Sequence, residues 1–421
     1  MKNSIALKIK QVPEGYLVVG TDPHKKKHAV MVMTQDLIVR TRFKFSNSKR
    51  GFDEALERVR LEMVKNDCRG VIFAIEAASH YWRNLCYYLD KKGIPFRLIN
   101  QFTLKRRREG QEINRRKNDF SDAEVAARLL CPGEFTETRL LPGLYAELRA
   151  THNHYRRLTE ERARAVNLLK GLLDGLFPEF TDTFKDPCGQ TALSVLATCP
   201  VPAEIAAMTE EKFIDRVRAE HQGRLMIGKL RALHHTARDS IGIEAGSASV
   251  RRELLFLVNK IRVLNQELFH LEGFLRELAD QTQEAKYLLS IRGLNYISVA
   301  GILAQTGPFQ SYSYAKQLIK MAGNNPTEAE SAGKRSPHTP ISKKGRPGLR
   351  HCLWNAVISL LRHNPEFRDW VQKLRERPAH GHPLNKKESI GAAANKLLRL
   401  AFALVKNKSF YRLPQLAGVS N

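Results

Sequence analysis

Acidic residues are scarce beside basic ones: 43 Asp and Glu stand against 69 Lys and Arg, a formal net charge of +26 over 421 residues. Such a deficit of negative charge implies a polyanionic partner, and nucleic acid is the commonest. The positive charge is spread along the whole chain and not gathered beside an apolar helix, which argues against a membrane surface as that partner. Long hydrophobic runs are missing too. The nearest, Leu397 to Val405, is broken by Arg399 and falls short of the ~20 residues that a transmembrane helix needs. Met1-Lys2-Asn3-Ser4-Ile5 lacks the apolar core of a signal peptide, so a soluble, cytoplasmic protein is expected. The six cysteines (Cys68, Cys86, Cys131, Cys188, Cys199, Cys352) include no C-x-x-C pair, which leaves neither a zinc site nor a disulfide framework. Reduced, buried thiols are expected.

What is present reads in order along the chain. The length allows two or three domains. Tyr16 to Asp22 is an apolar run of strand length ending in a carboxylate. Ala29 to Met33 and Leu37 to Phe45 are rich in β-branched and aromatic residues, with Thr34-Gln35-Asp36 as a turn, so three strands of a meander are expected. Phe52, Ala55, Leu56, Val59 and Met63 recur at helical spacing within residues 49–66. Val71 to Ile75 then forms a buried strand that stops at Glu76, followed by a helix (about 80–92) and a short strand (Pro95 to Ile99). This order gives an α/β layer with a mixed sheet.

Asp22 and Glu76 therefore sit at the C-terminal ends of two strands, the edge of an open α/β sheet where ligands gather. Further on, Arg115-Arg116-Lys117-Asn118-Asp119-Phe120-Ser121-Asp122-Ala123 opens a helical run to Leu130. Asp119 and Asp122, three residues apart, share a helix face. Taken alone they are first-turn acids that suit a helix start, and a carboxylate at a strand end is commonly just solvated. Four converging carboxylates without matching cations repel one another, however, and such a set persists most readily when a divalent metal neutralises it. The runs Lys105-Arg106-Arg107-Arg108 and Arg115-Arg116-Lys117 lie beside this set. Charge runs are usually solvated loops; here they stand where a phosphate backbone would be cradled.

A long helix is expected from Tyr145 to Leu176, whereas residues 180–245 are less regular, with a helical piece through 203–220 and a basic run from Lys229 to Arg238, and suggest no function. Leu254, Leu257, Ile261, Leu264, Leu268, Leu271, Leu275 and Leu278 alternate spacings of three and four, the seam of a coiled coil. An intramolecular hairpin with the earlier helix and an intermolecular coiled coil both satisfy it. The segment from Leu288 through Gly293 to a helix at about 296–306 loosely resembles a helix-hairpin-helix, with Asn295-Tyr296 where a second glycine is expected. Helices at about 314–321, 349–362, 365–376 and 388–406 make the last third all-α around a basic loop, Ala322 to Gly348, that carries Lys334, Arg335, Lys343, Lys344 and Arg346.

These motifs resemble the IS110/IS1111 group of insertion-sequence transposases. That group opens with a RuvC-like, RNase H-fold domain with four acids in an Asp-Glu-Asp-Asp pattern. Asp22 in Gly20-Thr21-Asp22-Pro23-His24-Lys25 matches the first, and Glu76 in Ala74-Ile75-Glu76-Ala77-Ala78 the second. Asp119 and Asp122 match the last two, with Asn118 at the group's usual threonine. A serine loop in the group's C-terminal domain is matched by Pro326-Thr327-Glu328-Ala329-Glu330-Ser331-Ala332-Gly333, followed by Ser342-Lys343-Lys344-Gly345.

The resemblance implies a RuvC-like catalytic domain (1–140), a helical linker and coiled coil (141–285) and an all-α transposase domain with the serine loop (286–421). It implies two Mg²⁺ ions held by Asp22, Glu76, Asp119 and Asp122, and Ser331 as a nucleophile that forms a covalent phosphoserine. It also implies donor and target DNA as substrates, a structured guide RNA from the element itself, and a dimer or tetramer acting at the nucleoid. Two other readings remain open at this point: a RuvC-like nuclease or junction resolvase with water as nucleophile, and a basic architectural nucleic-acid-binding protein.

Overall fold

Leu17, Val18 and Val19 are fully buried because their strand, β1 (Tyr16–Asp22), lies at the centre of a five-stranded sheet. The computed structural model describes residues 8–111, 119–135, 140–141, 143–243, 247–326, 330–331, 334–335, 340–376 and 383–412; of residues 111, 247, 330–331 and 334–335 it describes the backbone alone. The chain forms two compact units, Met1–Leu140 and Leu141–Asn421.

In the first unit the sheet order is β3-β2-β1-β4-β5. β2 (Lys27–Met33) and β3 (Val39–Ser46) run antiparallel as a meander from β1, while β4 (Gly70–Glu76) and β5 (Phe96–Ile99) run parallel to it. The parallel pairs need crossovers. Helix α1 (Lys49–Lys65), capped by Ser48, leads into β4, and α2 (Trp82–Lys91) leads into β5. Both faces of the sheet are covered, which explains the near-continuous apolar runs of β1, β2 and β4. Leu17, Val19, Val32, Phe73 and Ile75 pack with Phe52, Leu56, Leu85 and Leu89 on one face. Val18, Met31, Met33, Ile72 and Ala74 pack on the other against Leu104 of α3 (Gln101–Gln111) and the alanine-rich face of α4 (Asp119–Leu130). The run Lys105 to Arg108 is thus helix and not loop, because Leu104 inserts into the core and anchors it. Edge strand β3 alternates, with Phe43 and Phe45 buried and Lys44 exposed between them.

The second unit is helical. α5 (Gly143–Leu176) and α11 (Ser247–Asp280) contain 34 residues each, about 50 Å of helix, and pack against one another. The leucine seam is buried within this pair and its neighbours: all eight seam residues from Leu254 to Leu278 are at most 9% exposed. The chain's own helices therefore occupy the seam. Residues 180–237, irregular by pattern, form five short helices: α6 (Phe180–Thr183), α7 (Gln190–Thr198), α8 (Pro202–Ala206), α9 (Glu210–Glu220) and α10 (Ile227–Ala237). They gather around Phe177, Phe180 and Phe213, together with Leu173 of α5 and Leu257 of α11.

At the other end of the hairpin, Leu275 and Leu278 join the core of the last third. It comprises α12 (Ala285–Leu289), α13 (Tyr296–Thr306), α14 (Ala315–Ala322), α15 (Pro347–His363), α16 (Pro365–Glu376) and α17 (Lys386–Lys406), with a two-stranded sheet of β6 (Glu330–Ser331) and β7 (Lys334–Arg335). Asn295 caps α13, its side chain accepting the Ser298 N–H at 2.9 Å. That amide is thereby used within the chain, at the turn that resembles a helix-hairpin-helix. At the opposite end of α13, Arg149 donates to the carbonyls of Ala304 and Gln305 (2.8 and 3.0 Å) and Arg346 donates to that of Gln305, so guanidinium groups serve the last-turn acceptors.

Candidate metal centre

The site begins with a glycine. A Cβ on Gly20 would lie 1.9 Å from the Ala123 carbonyl oxygen and 2.8 Å from the Ala127 Cβ. Only the missing side chain lets α4 lie this close to β1, and that approach carries the first turn of α4 to the sheet's carboxyl edge. Parallel pairing of β1 and β4 runs from Tyr16–Gly70 to Thr21–Ile75, so the next residues, Asp22 and Glu76, end their strands side by side. Asp122 joins them from α4. Asp22, Glu76 and Asp122 are 4%, 6% and 6% exposed, and one carboxylate oxygen from each lies within 4.8 Å of the others.

Burial, the charges of Asp22 and Asp122, and a hydrogen bond to Asp22 push the Glu76 carboxyl up to about 8, opposed by Arg108. Asp119 is more exposed and stands apart from this trio. The Lys44 ammonium donates to its Oδ2 at 2.5 Å and holds its carboxyl below the usual range, with His24 adding to the effect. Two cations are thus built into the site: Lys44 against Asp119, and Arg108 from α3, whose Nη1 donates to Asp122 Oδ1 at 2.6 Å. The aromatic ring of Phe120 sits beneath Arg42 and Lys44, each 5.5 Å from its centroid.

His24 completes the edge. Its Nδ1 is 3.5 Å from Asp22 Oδ1 and its Nε2 is 3.5 Å from Asp119 Oδ1. The His24 backbone N–H donates to Nδ1 of His28 at 3.1 Å. The His28 ring is fully buried, lies 5.8 Å from Phe52 in a stacked arrangement, and is drawn down to about 4 by that burial, so it stays neutral.

The donor chemistry fits a divalent cation. Three buried carboxylates, with Glu76 pushed toward protonation by burial and by its neighbours' charge, are relieved when a hard cation takes the place of the proton, and oxygen donors are what Mg²⁺, Mn²⁺ and Ca²⁺ take. Beside them opens a groove of about 720 Å³ whose walls include Glu76, Asn100, Phe102, Lys105, Arg108 and Asp122. The Arg106 guanidinium lies 4.5 Å over the ring of Phe102, a residue 58% exposed. Acid cluster, cations and an exposed aromatic thus line one groove.

Of the residues expected from sequence, Asp22, Glu76 and Asp122 meet, and Asp119 joins through Asp22 and His24. Lys105, Arg106, Arg107 and Arg108 occupy one helix, with Arg108 turned to Asp122. Arg115, Arg116 and Lys117 lie outside the described residues. Ser331, Lys334 and Arg335 belong to the second unit, in β6 and β7. The stem that carries them is closed by a Pro326–Ile341 bridge, by Ser342 Oγ donating to Asn325 Oδ1 at 2.8 Å, and by the Lys343 N–H donating to the Gly323 carbonyl at 2.9 Å. Lys343 and Lys344 are exposed at this stem, and Arg346 is half-buried there. Sequence reasoning assigned no role to His24 or Lys44. Strand alternation was a usable signal for Lys44, since it lies between the buried Phe43 and Phe45 and so faces the side of the sheet that α4 covers.

Comparison with known proteins supplies the context. Residues 19–178 match the family model for DEDD transposases of the IS110 type, described as transposase. Residues 285–372 match the model described as transposase of the IS116/IS110/IS902 family. An uncharacterised 44.8 kDa protein of insertion element IS116 from Streptomyces clavuligerus is 21% identical over 323 residues, covering 76% of this chain and 77% of its own. The transposase for insertion sequence element IS1111A from Coxiella burnetii is 25% identical over 180 residues, 42% of this chain and 47% of that one.

Proposed function

The chain belongs to the IS110-type (IS116/IS110/IS902) family of insertion-sequence transposases, and from that premise we propose that it is a metal-dependent DNA recombinase acting through Ser331. The observation that carries the metal half is the meeting of Asp22, Glu76 and Asp122, from two strand ends and a helix, within the span of one coordination shell.

In this reading the first unit is a RuvC-like domain whose four carboxylates would hold two Mg²⁺ ions. When bound, those ions supply Lewis-acid stabilisation of charge on the attacking and leaving oxygens. Asp22, Glu76 and Asp122 would hold one ion, and Asp22 with Asp119 would hold the other. Lys105, Arg106 and Arg107 on α3, with Arg115, Arg116 and Lys117, hold the DNA backbone. Arg108 orients Asp122 through its hydrogen bond.

Ser331 Oγ bonds to the scissile phosphorus as the phosphorus–oxygen bond to the leaving deoxyribose breaks. The serine proton passes to a base or solvent, and the leaving oxygen takes one up. One phosphodiester is exchanged for another, so attack by a second strand's hydroxyl reseals DNA and regenerates the serine without an external energy source. Lys334, Arg335, Lys343, Lys344 and Arg346, carried on the serine loop and its stem, bear on nucleic acid. The charge of +26 suits simultaneous binding of donor DNA, target DNA and a structured guide RNA. Residues 141–285 act as a helical spacer between the two functional ends, in a dimer or tetramer.

The test is a strand-transfer assay on element-end DNA with the RNA that co-purifies. Wild type gives a covalent protein–DNA adduct that survives denaturant, and Ser331→Ala gives neither adduct nor product. Cleavage retained by Ser331→Ala would establish water as the nucleophile. Full activity in Asp119→Asn would remove the metal reading.

A further inference from the structure

The proposed function treats both ions as held by carboxylates. The ring of His24 changes that for one of them. We propose that His24 is a nitrogen donor to a second cation site, formed with Asp22 and Asp119, so that the two ions that meet at Asp22 occupy chemically different shells. The inference rests on the metal-dependent reading above and adds a residue to it.

One donor atom each from Asp22, His24 and Asp119 lie within 4.8 Å of one another, just as in the Asp22–Glu76–Asp122 set. Ligands about 2.1 Å from a shared ion are separated by roughly 3 Å when adjacent and 4 Å when opposite; Nδ1 of His24 lies 3.5 Å from Asp22 and Nε2 lies 3.5 Å from Asp119, so whichever nitrogen binds has one carboxylate at such a separation, the other lying within 4.8 Å of the donor set. Asp119 is divided to suit: Oδ2 accepts from Lys44 while Oδ1 faces the imidazole. An ion between Oδ1 and His24 leaves the lysine contact in place. Asp22 belongs to both sets and would be shared by the two ions of a paired-metal site.

The placement is built into the backbone. His24 lies just beyond the end of β1, and its N–H is fixed on the buried His28 at the far side of the same turn, where β2 begins. Histidine at this position is therefore held by the core behind it, although its own side chain is half exposed.

The consequence is selectivity. Mg²⁺ takes oxygen donors and retains water, whereas imidazole suits transition metals such as Fe²⁺, Ni²⁺ and Zn²⁺. The all-carboxylate site should accept Mg²⁺ or Mn²⁺, and the His24 site should favour a transition metal over Mg²⁺, with Mn²⁺ usable as a probe of both.

The experiment uses the metal-free, untagged full-length chain loaded with Mn²⁺ alone, read by electron spin echo modulation and by a binding titration. Wild type should show nitrogen modulation from a directly bound imidazole and two classes of Mn²⁺ site. His24→Ala should lose the nitrogen modulation and weaken one class by at least the roughly 10-fold that even outer-shell partners cost. In Glu76→Gln the other class should weaken while the nitrogen signal persists. Nitrogen modulation that is unchanged in His24→Ala, or absent from a wild type whose Mn²⁺ binding still depends on Asp22, overturns the inference while sparing the metal site. Mn²⁺ binding unaffected by Asp22→Asn overturns both. Unchanged circular dichroism of each variant confirms that the comparison is made on folded protein.

Discussion

The buried trio makes a prediction whose sign is counter to the usual behaviour of carboxylates. In the metal-free protein Glu76 titrates at about 8 instead of 4.5. Between those values the folded chain holds a proton that the unfolded chain has released, so stability is greatest below about 4.5 and is lost as pH rises toward 8. At 1.36 kcal/mol per unit, the shift corresponds to at most about 5 kcal/mol. Glu76→Gln keeps the shape, can still donate to Asp22 and cannot ionise. In EDTA the variant should hold its stability from pH 5 to 8 while the wild type declines, and at pH 8 the variant should be the more stable. A saturating divalent cation should reverse the wild-type trend, since binding ionises Glu76 and becomes more favourable as pH rises. Hydrogen exchange of the β1 and β4 amides reads this equilibrium in the first unit alone. A wild-type profile that is flat or rises with pH in EDTA, or one parallel to that of Glu76→Gln, would refute the argument that like charge and burial strain this site.

Other outcomes follow from the packing. Gly20→Ala places a methyl where the Ala123 carbonyl already lies, so α4 must lift from the sheet; a loss of about 1–3 kcal/mol in denaturant melts, together with weaker Mn²⁺ binding, is expected. Leu264→Asp with Leu271→Asp puts two charges into a seam that the chain's own helices bury. Circular dichroism should show the second unit destabilised by several kcal/mol, and unchanged melting would mean that the seam is dispensable within one chain. Lys44→Ala frees Asp119 Oδ2, so the Asp119 carboxyl should titrate higher than in wild type when followed by NMR.

How much was legible in the sequence depended on the range over which each property is encoded. The net charge, the three-strand meander, the strand-end positions of Asp22 and Glu76, the i, i+3 pair Asp119 and Asp122 and the leucine seam all follow from composition and from apolar spacing within one element, and the four acids match a family pattern. The charge run at Lys105 was read as loop because its helix is anchored by a single buried residue, Leu104. Within residues 180–237 the spacing shows a helical piece through 203–220, which the structure divides into α8 and α9 at Ala207–Thr209, while α6, with four residues, is too short to establish a period. What only the tertiary structure decided is relative placement: that Asp22 ends beside Glu76 through the β1–β4 register, that the seam's partner is α5, and that His24 stands between two carboxylates almost a hundred residues apart in the chain. Such contacts depend on how closely distant segments approach. Here the bare Cα of Gly20 under the Ala123 carbonyl sets that distance, and no local pattern in either segment records it.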